Sequence, residues 1–302
     1  MSNIACIMPW DIPTDLAAFL AKLKAMGFDT VSLIVRPHQV EKMYEVLIPA
    51  RIVREAGMNL LLRVWCDTKY NTRIPGICRL ADGGLNIMAA EARTVVRDFC
   101  KIVEASGLSE LATTIACSWS GSVESTAGEM PRYRGLVWKE NAPDRLTAPQ
   151  ERTYLRAVQW TIGSFIEVFG NKTPIGGQRS SPWDKPEERL EYWVHEEETV
   201  NIWGDAWWGP RGMLPKSLLR AHAIMPEAPI IQEWDYDGWL KQEQKWKEDP
   251  KLGVWSELPW DEEFLARMLI LEESGVNKQV VHCSPANYIA NAAVFTEAMR
   301  RH

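Results

Sequence analysis

The sequence predicts a single α/β domain built as a (β/α)8 barrel. Three observations predict it. Short β-prone runs alternate with amphipathic helical stretches from end to end. Eight such units fit into 302 residues with no linker, internal repeat or low-complexity segment. The phosphate-binding fingerprints of open doubly wound sheets are missing, because no GxGxxG follows the first strand and no P-loop motif exists.

The first strand is expected at Ile4–Met8. Its helix, Thr14–Met26, opens at a Thr N-cap candidate, spaces Leu16, Phe19, Leu20 and Leu23 helically and stops at Gly27. Strand two is Thr30–Val35, followed by a helix over Gln39–Glu55 that ends at Gly57. Leu60–Trp65 is an apolar run of the length of a fully buried strand. A long loop with Gly83-Gly84 then leads to a helix at Ile87–Ala105 and strand four at Thr113–Cys117. A second long loop precedes the helix Pro149–Phe169, and Thr173–Ile175, before Gly176-Gly177, is read as strand five. A helix at Glu187–His195, strand six at Val200–Trp203, a helix at Pro215–Met225 and strand seven at Pro229–Gln232 keep the rhythm. A polar insertion, Asp235–Pro259, precedes the helix Asp261–Ser274; strand eight is Gln279–His282, and Ala286–Arg301 closes the chain. Long βα loops are thus expected after strands 3, 4 and 7.

Composition narrows the function classes. Hydrophobic residues at 46% and charged residues at 25% are globular values. With 34 basic against 40 acidic residues and no basic run, neither nucleic acid nor an anionic membrane is an expected partner. The N-terminus lacks a basic segment followed by an apolar run, and no stretch of spanning length exists, so export by a signal peptide and membrane insertion are not expected. Cys6, Cys66, Cys78, Cys100, Cys117 and Cys283 form no CxxC pair and read as reduced, buried thiols of a protein that folds in the cytoplasm.

Tryptophan is the outlier, at fifteen copies against seven tyrosines and seven phenylalanines. In a barrel the site is built at the C-terminal strand ends. There the sequence places Trp10 after strand one, Trp65 and Asp67 at strand three, Trp119 after strand four, Trp203, Asp205, Trp207 and Trp208 at strand six, and Glu233 and Trp234 at strand seven. Trp138, Trp183, Trp255 and Trp260 add four more in longer loops. Indole faces pack against the C–H faces of sugar rings while carboxylates accept hydrogen bonds from hydroxyls, so an oligo- or polysaccharide is the expected partner.

Glu233, directly after the apolar run Pro229-Ile230-Ile231-Gln232, is the most informative acid. At this point the chain resembles the barrel glycoside hydrolases of the large retaining clan, whose nucleophile is a Glu at the end of strand seven. The resemblance implies a glycosidase with Glu233 as nucleophile and no cofactor. It also implies that Arg36, ending strand two, is the arginine that holds that carboxylate. The clan usually shows Asn-Glu at the end of strand four. This chain instead reads Cys117-Ser118-Trp119-Ser120-Gly121-Ser122-Val123-Glu124. Glu124 is therefore the leading proton donor, with Asp67 and Asp205 as rivals, and His282, ending strand eight, is a further contact to sugar or carboxylate.

Two other classes stay open. A metal-dependent enzyme would draw on Cys66, Cys117, His282 and Cys283, against which paired-ligand spacing is missing. A carbohydrate-binding or structural barrel would keep the aromatic cleft without a working acid pair, for example as part of a larger particle. Release by lysis or such assembly would also carry a cytoplasmic product to external polysaccharide. Oligomeric state has no signature in the sequence.

Overall fold

A computed structural model describes residues 2–36, 40–66, 74–79, 85–86, 88–118, 160, 164–165, 167–170, 178–179, 202–205, 230–237, 240, 262, 265 and 278–300. Eight strands form one sheet: β1 Ser2–Ile7, β2 Thr30–Val35, β3 Asn59–Trp65, β4 Thr114–Ser118, β5 Gln178–Arg179, β6 Ile202–Asp205, β7 Ile230–Asp235 and β8 Lys278–His282. Their order is β4-β3-β2-β1-β8-β7-β6-β5, and every described neighbour pair is parallel. Chain order therefore runs outward from β1 on one side and inward to β8 on the other, with the first and last strands side by side.

The ladder is staggered. From Ile7, the last residue of β1, the register runs through Leu33 and Leu62 to Ile115, so β4 ends three positions beyond this level, at Ser118. On the other side Arg179, the last residue of β5, runs through Gly204, Gln232 and Gln279 to Asn3, four positions before Ile7. The strand ends thus drift by about one residue per strand, the slope that tilted strands have in a barrel of eight.

Alternation along the strands divides the core. Ala5, Ile7, Val31, Leu33, Val35, Leu60, Leu62, Val64, Ile115 and Val281 belong to one buried cluster with the helices. The opposite parity, Ile4, Cys6, Ser32, Ile34, Leu61 and Arg63, is also buried but lies outside that cluster, on the sheet face turned away from the helices. Burial on both faces explains why these strands read as continuous apolar runs.

Helix α1, Leu16–Met26, buries Leu16, Phe19, Leu20, Leu23 and Met26. Its N-cap is Asp15 rather than Thr14, and the carboxylate accepts from the Ala18 N–H at 3.0 Å. At its other end Gly27 has φ 100°, and its N–H reaches the carbonyls of Leu23 and Lys24. Helices α2, Val40–Glu55, and α3, Ala92–Ala105, follow β2 and β3, and a short α4, Leu108–Leu111, precedes β4. Residues 160, 164–165 and 167–169 are helical, as are 262 and 265, inside the expected helices Pro149–Phe169 and Asp261–Ser274. The helices expected at Glu187–His195 and Pro215–Met225 lie outside the described residues.

Other expectations shift. Strand five lies at Gln178–Arg179, and its expected run, Thr173–Ile175, lies outside the described residues. Strand seven continues past Gln232 to Asp235, and Tyr236 and Asp237 are helical where a polar insertion was expected to begin. The final helix divides at Asn291 into α5, Pro285–Ala290, and α6, Ala292–Arg300. In the long connection after β3, a 3-10 turn at Gly76–Cys78 is tied down by Arg79, which donates twice to the Ile74 carbonyl, and by Asn86, which donates to the Ile77 carbonyl. The loop after β4 lies outside the described residues.

An aromatic cluster fastens the chain ends together. Tyr288 of α5 meets Phe19 and Phe28 edge-on, Phe295 of α6 packs against Tyr236 with ring centroids 4.8 Å apart, and the Tyr288 hydroxyl donates to the Val281 carbonyl. Burial pushes the Tyr288 hydroxyl well above its usual pKa, so it stays a neutral donor. Asp237 makes the companion polar clamp. Its carboxylate accepts from the Ser284 N–H at 2.7 Å, from Asn287 Nδ2 at 2.8 Å and from the Cys283 thiol at 3.4 Å, tying the end of β7 to the start of α5.

Two substitutions test this frame. A Cβ on Gly27 would stand 2.8 Å from Met299 Cβ in α6, on a backbone already at positive φ. Gly27→Ala is therefore expected to destabilise by about 2–4 kcal/mol, read from the urea midpoint. Asp237→Ala is expected to cost about 1–3 kcal/mol and to speed amide exchange at Ser284; unchanged Ser284 exchange would show that the clamp does not order α5.

Candidate active site

The C-terminal strand ends carry the expected site residues, and the register sorts them. Asp205 is the last residue of β6 and is paired directly with Glu233 of β7. Glu233 is paired in turn with Val280 of β8 and, through it, with Ile4 of β1. Both acids therefore stand at positions of the face turned away from the helices. Neighbouring parallel strands run about 4.8 Å apart, so the two positions are direct neighbours on one face of the sheet.

His282, the last residue of β8, is paired with Asp235 on one side and with Cys6 on the other, two steps further along the same face. Trp65 ends β3 with the parity of Leu61 and Arg63, so it shares that face. Trp203 is the second residue of β6, paired with Gln178 and Ile231, one same-face step below Asp205 and deeper than a strand-end position.

The register separates Trp234 from Glu233. Because β7 continues to Asp235, Trp234 sits inside the strand, paired with Val281 and through it with Ala5, both members of the helix-side cluster. Its position therefore falls on the opposite face from Glu233. The reason is the two-residue repeat: adjacent residues of one strand cannot share a face.

Arg36 follows β2 directly, and its guanidinium lies 5.2 Å from the centroid of the Trp10 ring. Trp10 is 60% exposed, so this pair forms a rim element in which a cation covers an indole face that is still open to solvent. Asp67, Trp119, Glu124, Trp207 and Trp208 lie outside the described residues. So does Cys117 as a side chain. Among the described residues, Cys6, Cys66, Cys78, Cys100 and Cys283 are buried thiols outside any disulfide, and no group of three His, Cys, Asp or Glu side chains stands together as a metal cage. Burial raises the thiol pKa of both Cys78 and Cys100, which keeps these sulfurs protonated and inert.

Arg63 does not stand out in the sequence, where Leu60–Trp65 reads as one apolar run. It lies in the middle of β3 and is only 3% exposed, on the same face as Cys6 and Leu61. The available signal was a single charge inside a strand whose neighbours on both faces are apolar.

No family model and no curated protein matches the sequence. Solved structures do share its fold. The β-glycosidase of the hyperthermophile Thermosphaera aggregans is 9% identical with a TM-score of 0.56, covering 99% of this chain and 95% of its own. A broad-specificity GH5-4 endoglucanase from Clostridium acetobutylicum is 10% identical with a TM-score of 0.54, over 96% and 91% of the two chains. A sugar phosphate isomerase/epimerase from Parabacteroides distasonis is 10% identical with a TM-score of 0.51, over 99% and 93%. Among the described residues no helix is long and apolar enough to cross a membrane. At the level of architecture, then, the chain resembles (β/α)8 glycoside hydrolases, within a fold that other enzymes share.

Proposed function

We propose that the chain is a single, closed (β/α)8 barrel and a glycoside hydrolase acting on an oligo- or polysaccharide, with Glu233 as nucleophile and Asp205 as its partner acid. The stagger of the strand ends supports closure. Seven neighbour steps carry the register over seven positions, from Arg179 to Ser118, and one more step of the same size between β4 and β5 gives the shear of eight that this barrel type requires.

The observation that carries the functional reading is the direct pairing of Asp205 with Glu233. Two carboxyl groups held side by side cannot both ionise easily, so one is driven to stay protonated and the other to stay charged. That is the division of labour of a glycosidase. The protonated acid gives its proton to the leaving oxygen, the carboxylate attacks the anomeric carbon, and the first group then takes a proton from the water that releases the sugar. Carboxyl groups about 5–5.5 Å apart suit this retaining course, and paired positions on adjacent strands favour that spacing over the wider gap of inverting enzymes. No cofactor enters the scheme. Trp65 and the rim pair Trp10–Arg36 supply surface for sugar rings, with Trp119, Trp207 and Trp208 as further candidates from the loops.

A second reading is favoured by one feature: Asp205, Glu233 and His282 stand on three consecutive strands and offer the oxygen and nitrogen donors of a metal site. It replaces the cysteine-based set, since Cys283 is engaged with Asp237.

Glu233→Gln is expected to abolish hydrolysis of aryl glycosides and oligosaccharides while the chain still folds, as circular dichroism would show. Asp205→Asn should slow substrates with poor leaving groups by about 10²–10⁴-fold and activated aryl glycosides far less. If Glu124→Ala gives that leaving-group pattern and Asp205→Asn does not, the donor is Glu124. Turnover that survives Glu233→Gln, or that disappears on chelation and returns with a divalent metal, would replace the glycosidase reading, and sugar binding without turnover would point to a binding barrel.

A further inference from the structure

The charge buried in β3 has no role in the scheme above, and its position gives it one. Arg63 cannot shed its proton, and a guanidinium at 3% exposure is tolerated only against a countercharge or full hydrogen bonding. Its parity sets it opposite to Leu60, Leu62 and Val64, which pack toward the helices. The partner must therefore come from the face that strands alone line.

The register gives the positions level with Arg63 on that face. In a barrel with this stagger, positions of equal height on alternate strands differ by two register steps. Cys6 of β1 is level with Leu61 of β3 through Ser32, and Arg63 stands two beyond it. Glu233 of β7 is level with Ile4 through Val280, two before Cys6. Gln178 of β5 is level with Ile231 through Trp203, two before Glu233. Cys6, Arg63, Gln178 and Glu233 thus form one inner layer, with one residue from each odd-numbered strand, as the interior of such barrels is built. Strands β3 and β7 face each other across it, and Glu233 is the one carboxylate of the layer.

We propose that Arg63 is a positioning residue that pairs with Glu233 across the barrel and keeps it ionised, the task that the family resemblance gives to Arg36. Arg36 stands at the rim beyond β2, over Trp10, while Arg63 lies deeper, in the layer of the nucleophile itself. The inference rests on the closed barrel and on Glu233 as nucleophile. The other charged or titratable groups around Glu233 are Asp205 on β6, Asp235 further along β7, His282 on β8 and Cys6 on β1. Neighbouring like charges disfavour ionisation of a carboxyl group, so a cation at its own level is what would hold Glu233 charged.

The test uses the full chain with Arg63→Met, Arg63→Lys, Glu233→Gln and the double variant Arg63→Met/Glu233→Gln. Loss of the cation should move the acidic limb of kcat/KM to higher pH by about one unit or more, with Arg63→Lys restoring most of the wild-type profile. The melting temperature of Arg63→Met should fall by about 5–10 °C, and much of that loss should vanish in the double variant, where the carboxylate is gone as well. An acidic limb unmoved in Arg63→Met while Glu233→Gln is inactive would overturn the pairing and leave the glycosidase reading standing. Should the wild-type chain hydrolyse nothing, the melting cycle decides alone: strictly additive losses overturn the pair, and coupling supports it. If Arg63→Met does not fold, recovery of folding in the double variant supports the pair, and failure of both overturns it.

Discussion

The two-residue alternation of parallel strands governs this molecule. One parity of β1, β2 and β3 belongs to the helices and must be apolar, which Ala5, Ile7, Val31, Leu33, Val35, Leu60, Leu62 and Val64 satisfy. The other parity is released from that requirement toward the C-terminal ends, and there the sequence places Arg63, Glu233, Asp205 and His282. A slip of one residue in any of these strands would turn the charged position toward the helices and an aliphatic one toward the cleft. Register and chemistry are therefore fixed by the same pattern, and the hydrophobic cost of a slip protects the geometry of the acids.

Strands β1 and β8 can hold that register only if the two ends of the chain stay together. Parallel pairing through Ser2–Cys6 and Lys278–His282 supplies the backbone bonds, and the aromatic cluster of Phe19, Phe28, Tyr236, Tyr288 and Phe295 buries the helices that follow against one another. Tyr236 links this cluster to the strand that carries Glu233, three residues upstream. Asp237 adds a hydrogen-bonded tie to the segment just after His282. The strand that carries Glu233 is thus braced by the packing that joins the first and last helices.

How much of this was legible in the sequence depends on the signal each residue gave. The strands at 4–7, 30–35, 60–65 and 279–282 stood out because burial on both faces makes them continuous apolar runs. Strand five did not, because Gln178-Arg179 is short and polar and the β-branched residues before it drew the assignment. Glu233-Trp234-Asp235 looks like a loop in the sequence, so the strand is expected to end at Gln232, whereas it continues to Asp235. Glu233 and Asp205 were readable as acids after apolar runs, yet their direct pairing was not, since the offset between two strands is a property of the sheet. Arg63 was hidden by its neighbours, four of which are aliphatic. Asp67, Glu124, Trp119, Trp207 and Trp208 lie in loop segments outside the described residues, where alternation offers no guide.

The inner face also has a direction. Moving along the strands toward their C-terminal ends, its register positions pass from Ile4, Leu61 and Ile231, through the level of Cys6, Arg63, Gln178 and Glu233, to Asp205, His282 and the rim of Trp10 and Arg36. The lower positions can be filled by aliphatic packing, which excludes water and holds the strands apart at a fixed distance. The upper ones carry charge that such a core would not tolerate unpaired, at a desolvation penalty of several kcal/mol for each ion. The proposed pairing of Arg63 with a carboxylate lies at the boundary between the two regimes, where it would leave no bare charge.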